Sequence, residues 1–216
     1  MKELSDRAIS IIGGADGPTS VFVAGRKKGV PIKHRIQNGI YKWKGKRAAR
    51  KITAGERTLS EVVAYAVEKY NAIETDITQR KYAAQKNCLK ESLISRYKPE
   101  LFGELKAVIR PNEYTQETVR VLQEQFRARR ERVEAITDEQ MPMDFYLYEI
   151  SIGDGRLEME IDYHWNILGL SYSGSKNAMK QMKKIAKDLY LYYGVSEEDI
   201  RNKSERYHSL LATLSI

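Results

Sequence analysis

Cysteine occurs once, at Cys88, so no intrachain disulfide can form and a packed core must hold the fold. No stretch approaches the roughly 20 consecutive apolar residues that a membrane-crossing helix requires. The N-terminal Met1-Lys2-Glu3-Leu4-Ser5-Asp6-Arg7 carries acids and no apolar run, unlike a secretory signal. These absences lead us to expect a cytoplasmic protein. Histidine is scarce: His34, His164 and His208 are the only three, and none has a second ligand at zinc-site spacing. No Gly-Lys-Ser/Thr phosphate loop, G-x-G-x-x-G fingerprint, G-x-S-x-G elbow or kinase motif set occurs. The sequence therefore names no catalytic residue, no metal site and no cofactor. An active site assembled from distant residues would leave no local mark, so catalysis stays open but unsupported.

What the chain does hold is a strongly localised positive charge. The net charge is +8, yet residues 17–55 alone carry eleven Lys or Arg and no acid. These are Arg26, Lys27, Lys28, Lys33, Arg35, Lys42, Lys44, Lys46, Arg47, Arg50 and Lys51. The remainder is close to neutral. A cationic segment on a near-neutral body points to a polyanionic partner. Asn38-Gly39 is a hairpin signal, and residues 40–44 read as a strand with Lys42 and Lys44 on one face and Trp43 on the other. On such a ribbon the cations would meet phosphates, and Trp43 would be available to stack on a base.

Immediately before this segment lies a glycine-rich loop. Ile9, Ile11 and Ile12 precede it and Val21, Phe22 and Val23 follow, so β-branched and aromatic residues flank it as strands prefer. Within it are Gly13, Gly14, Asp16, Gly17, Pro18 and Thr19. Pro18 fixes its own φ, and Asp16 can accept amides two residues on, as in an Asx-turn. The loop reads as a rigid turn, an amide nest for an anion, or a cation site built on Asp16 and Thr19. The run Ile12-Gly13-Gly14-Ala15-Asp16-Gly17-Pro18-Thr19 resembles a signature loop in the membrane β subunit of sodium-translocating decarboxylases. The resemblance implies a role in sodium coupling for Asp16. It covers about 17 residues, 9–25, and ends where that family continues into apolar membrane helix and this chain continues with Arg26-Lys27-Lys28.

Downstream, apolar periodicity predicts an α+β chain. Residues 1–57 form a β-rich basic segment with the glycine loop, 58–140 a helical region, and 141–216 a small antiparallel sheet plus two helices; all could form one domain. The helix opened by Thr58 carries its apolar spacing through Ile73 and Ile77 and can extend to Tyr97, where Pro99 stops it. A short helix follows over residues 100–109. Another, over residues 115–137, places Val119, Leu122, Phe126, Val133 and Ile136 on one side, with arginines including Arg129 on a solvated face. Period-two alternation puts Leu157, Met159 and Ile161 in the core and Glu158, Glu160 and Asp162 on a solvent face. Ser175 caps a helix that Gly194 ends, and Ser196 opens a last one. Cys88 falls within the helical pattern as a buried thiol.

The function expected from these features is a non-enzymatic binding protein acting on nucleic acid or a nucleoprotein complex. In composition it is similar to small basic proteins of bacterial or phage mobile elements that block nucleic-acid machines, including inhibitors of RNA-guided nucleases. The alternative is an ion- or phosphate-binding module on the loop at residues 13–19. No membrane association is expected.

Overall fold

The computed structural model describes residues 8–12, 20–24, 43, 45–106 and 115–215. The glycine loop, and with it Gly13, Gly14, Asp16, Gly17 and Thr19, lies outside the described residues, as do Arg26, Lys27, Lys28, Lys33, Arg35, Lys42 and Lys44. The strands that flank the loop are β1 (Ala8–Ile12) and β2 (Ser20–Ala24), paired antiparallel with Ile12 opposite Ser20. Residue 43 and residues 45–49 are helical (α1). There follow β3 (Gly55–Glu56), α2 (Leu59–Tyr70), β4 (Ile73–Glu74), α3 (Arg80–Tyr97) and 3-10 turns over Pro99–Lys106 broken at Gly103. The rest comprises α4 (Gln116–Ala135), β5 (Phe145–Ile152), β6 (Gly155–Asp162), β7 (Ile167–Ser173), α5 (Lys176–Tyr193), β8 (Gly194–Val195), α6 (Glu197–Asn202) and α7 (Glu205–Ser215). The chain is α+β, as its periodicities imply. Its main sheet has the order β4-β5-β6-β7. A two-residue link at Gly153-Asp154 forces β5 and β6 to run antiparallel.

The chain divides into two compact units. One comprises Met1–Arg26, Thr75–Leu147 and Glu160–Gly169. Its core joins Leu89, Leu93 and Ile94 of α3 to Phe102, Val133, Ile136, Met141 and Leu147. Arg129, expected on a solvated face, is only 7% exposed here. Its guanidinium donates to Glu91, Ser95 Oγ and the Leu105 carbonyl and lies 3.9 Å from the Phe102 ring centroid. A planar group with five donors can satisfy that many acceptors at once, which makes its burial tolerable. Cys88 is exposed on α3, not buried. Val119 also faces solvent, so the buried side of α4 is carried by its C-terminal half.

The other unit comprises Lys27–Glu74, Tyr148–Met159 and Leu170–Ile216. Here α5 packs between α2 and α7, burying Met182, Ile185, Leu189 and Tyr193 with Leu59 and Val62 of α2 and Leu210 of α7. Thr58 and Glu61 form a capping box that starts α2. Asn71, with φ of 54°, ends it. The apolar spacing beyond Asn71 is therefore coincidental: Ile73 and Ile77 are 71% and 70% exposed, and no single helix runs from Thr58 to Tyr97. A left-handed residue outweighs a hydrophobic period because it turns the chain away from the helix axis. The final helix is likewise split, by Lys203 with φ of 49°. Gly194 closes α5 with φ of 63° and ψ of −162°, a region open to glycine alone, and a Cβ there would overlap the carbonyl of its β3 neighbour Gly55.

Candidate nucleic-acid interface

Among the residues expected to contact nucleic acid, the described ones, Trp43, Lys46, Arg47, Arg50 and Lys51, lie in or next to a helix, not the strand that alternation suggests for residues 40–44. Trp43 is helical, and residues 45–49 continue the helix. Ala48, Ala49 and the straight side chains of Lys46 and Arg47 favour helix, and a run of such residues overrides a two-residue alternation. The change of element regroups the side chains. On a strand Trp43 would face away from its lysine neighbours. On a helix, positions 43, 46, 47 and 50 fall within an arc of about 100°. Among the described residues these four line one shallow concavity. Ala48 points the other way and is buried, which seats α1 on its unit.

The face so formed combines an open aromatic with exposed cations. Trp43 is 60% exposed, and the Arg47 guanidinium carbon lies 5.6 Å from its ring centroid. Lys46, Arg47, Arg50 and Lys51 are all exposed, and no carboxylate pairs with any of them among the described residues. An exposed indole is costly in water unless a partner covers it. The Arg47 guanidinium lies over the ring, yet most of the indole remains exposed. Chemically the arrangement offers a flat π surface and three converging positive charges within one helical turn and a half.

The other tryptophan is used differently. Trp165 donates its indole N–H to the Pro142 carbonyl at 2.7 Å and stacks on Tyr97 at 5.0 Å. It is a pinned structural residue.

The remaining candidates do not assemble into a catalytic or metal centre. Among the described residues no group of three His, Cys, Asp or Glu is placed to hold a metal ion. His164 and His208 each sit edge-on to an aromatic neighbour, Trp165 and Tyr207. The acidic face expected on β6 is not solvated: Glu160 and Asp162 are buried. Asp162 accepts the Trp165 amide at 2.9 Å and so ties the turn between β6 and β7. Its second oxygen has no hydrogen-bond partner among the described residues. Burial raises its carboxyl above the ordinary range, against the pull of backbone amides in the turn.

One cationic surface escapes a reading by segment. Residues 56–216 hold more acids than bases, which hides the five lysines of α5. Helical periodicity collects them: Lys176, Lys180, Lys184 and Lys187 are exposed on the side opposite the buried face, with the half-buried Lys183 at the edge of that row. Plotting charge on the helical period, not along the chain, would have found them.

Among the described residues no helix is long and apolar enough to cross a membrane. No protein-family model matches the chain, and no curated protein or solved structure matches it either.

Proposed function

We propose that this protein binds nucleic acid, free or within a nucleoprotein complex, in the cytoplasm, and that the α1 face is a contact surface for single-stranded bases. The observation that carries this reading is the 60% exposure of Trp43 among Lys46, Arg47 and Arg50. Base stacking on an aromatic platform is tolerant of sequence, because every base has a π face, and flanking cations hold the backbone in place. The concentration of eleven Lys or Arg in residues 17–55 gives the same segment its long-range attraction for polyanions. An inhibitor of a nucleic-acid-processing machine would need no more chemistry than this, since occupying the strand or its channel suffices.

Trp43 supplies its own reporter. In a Trp165→Phe background it is the only tryptophan. Titration with a 20-nucleotide single strand should then quench its fluorescence, and Trp43→Ala should weaken binding by roughly 5- to 150-fold, the equivalent of about 1–3 kcal/mol per stacked base. Unchanged fluorescence at saturation, together with unchanged affinity in Trp43→Ala, would remove the stacking role.

A further inference from the structure

We propose that the lysine face of α5 is a second binding surface, one that lies along the phosphate backbone of a double-stranded nucleic acid. It shares a partner class with the α1 reading but rests on different residues. Lys176, Lys180, Lys184 and Lys187 recur every three or four positions, and their side chains emerge within an arc of about 80°. They span about 16 Å of helix axis at 1.5 Å per residue. A duplex presents roughly five phosphates per strand over that length. All four lysines are exposed, and no carboxylate pairs with them among the described residues. The only acid on α5, Asp188, is already engaged by Lys69, Tyr65 and Tyr70.

Two features select the duplex over other polyanions. The lysine face holds no aromatic ring for a base to stack on: Tyr192, at the edge of α5's outer side, is stacked on Tyr65 at 3.9 Å and covered on its other side by Arg57. Contact is therefore restricted to backbone, which a duplex presents and a single strand shares with its bases. The apolar face of α5 is also consumed, since Met182, Ile185, Leu189 and Tyr193 are buried in the unit. An amphipathic helix that enters a membrane surface needs that face free.

The test is fluorescence anisotropy with the full chain, a labelled 20-bp duplex and the matching single strand, between 50 and 200 mM KCl. Lys180, Lys184 and Lys187 are replaced together by Gln, and in a control by Arg. Each phosphate contact adds about −0.9 to the slope of log affinity against log salt for duplex DNA. The Gln variant should flatten that slope by about 2.7, so its loss of affinity across the salt range is about 40-fold smaller than in the parent. The Arg variant should keep the parental slope. An unchanged slope in the Gln variant overturns the proposal. If Trp43→Ala still weakens single-strand binding in that case, the α1 reading survives the failure. If the Gln variant flattens the duplex slope while Trp43→Ala has no effect, the lysine face stands and the α1 reading falls. Tighter binding to phosphatidylserine vesicles than to duplex, lost in the Gln variant, overturns the proposal in favour of a lipid surface.

Discussion

Replacing Asp188 with Ala removes the acceptor that joins α5 to α2. One oxygen of this carboxylate takes hydrogen bonds from Tyr65 Oη at 2.7 Å, Tyr70 Oη at 2.8 Å and Lys69 Nζ at 2.9 Å. Each phenol bond contributes about 1 kcal/mol net. The ion pair adds little, because both side chains are more than a third exposed and screened by water. The variant should therefore lose about 2 kcal/mol, a fall in Tm of about 4–8 °C for a chain of this size. Asp188→Asn keeps an acceptor oxygen and should lose less, and Lys69→Met least. Proton linkage adds a second signature. Burial pushes the Asp188 carboxyl up, but its three donors together hold it below the ordinary 3.8. Stability from this group is thus present above pH 3.8 and is lost as pH falls through the lower folded value. Burial, then the bond to Asp188, raises the Tyr70 phenol from 10.0 to about 12, so its contribution is lost as pH climbs from 10 to 12. Thermal denaturation followed by circular dichroism from pH 2 to 12 measures both limbs. A loss in Asp188→Ala no greater than in Lys69→Met, or an acid limb as steep as that of the parent, would contradict this role for Asp188.

Arg206 should resist conservative replacement. Its guanidinium donates to the carbonyls of Gly194, Tyr193 and Arg57, pairs with Glu56, and lies 3.5 Å from the Tyr193 ring centroid. Lysine has neither the planar fork nor the reach for that set, so Arg206→Lys should lose most of the roughly 2–4 kcal/mol that Arg206→Ala loses, read as the shift in urea midpoint. Asp162→Asn should gain stability relative to the parent as pH rises from 4 to 7. Asp162 titrates above its unfolded value, so the native state binds the extra proton and weakens as that proton leaves; a pH-independent difference between the two proteins would contradict this.

Local chemistry carried much of the fold. Thr58, Ser175 and Ser196 open helices as their side chains require, Gly194 closes one, and Gly153-Asp154 turns the β5–β6 hairpin. Structure departs from local pattern where two signals compete or where tertiary packing decides. The apolar period through Ile73 and Ile77 hid the left-handed Asn71. The alternation around Trp43 hid a helix favoured by the residues that follow it. Burial of Glu160, Asp162 and Arg129 depends on groups distant in sequence, which no local period contains. The site was half legible. Charge distribution located the cationic segment and strand alternation drew attention to Trp43, while the grouping of Trp43 with Lys46, Arg47 and Arg50 depends on the helix, because a strand and a helix sort the same residues onto different faces.

Salt-sensitive affinity for a single strand is the property that α1 must supply if its exposed face contacts nucleic acid. Affinity for a labelled 20-nucleotide oligonucleotide should be measured from 50 to 200 mM KCl for the parent and for the triple variant Lys46→Ala, Arg47→Ala, Arg50→Ala. Single strands contribute about −0.7 per neutralised phosphate, so loss of three contacts should flatten the slope by about 2.1. A parental protein whose affinity does not change with salt, or a triple variant with the parental slope, would contradict the assignment of this face to nucleic acid.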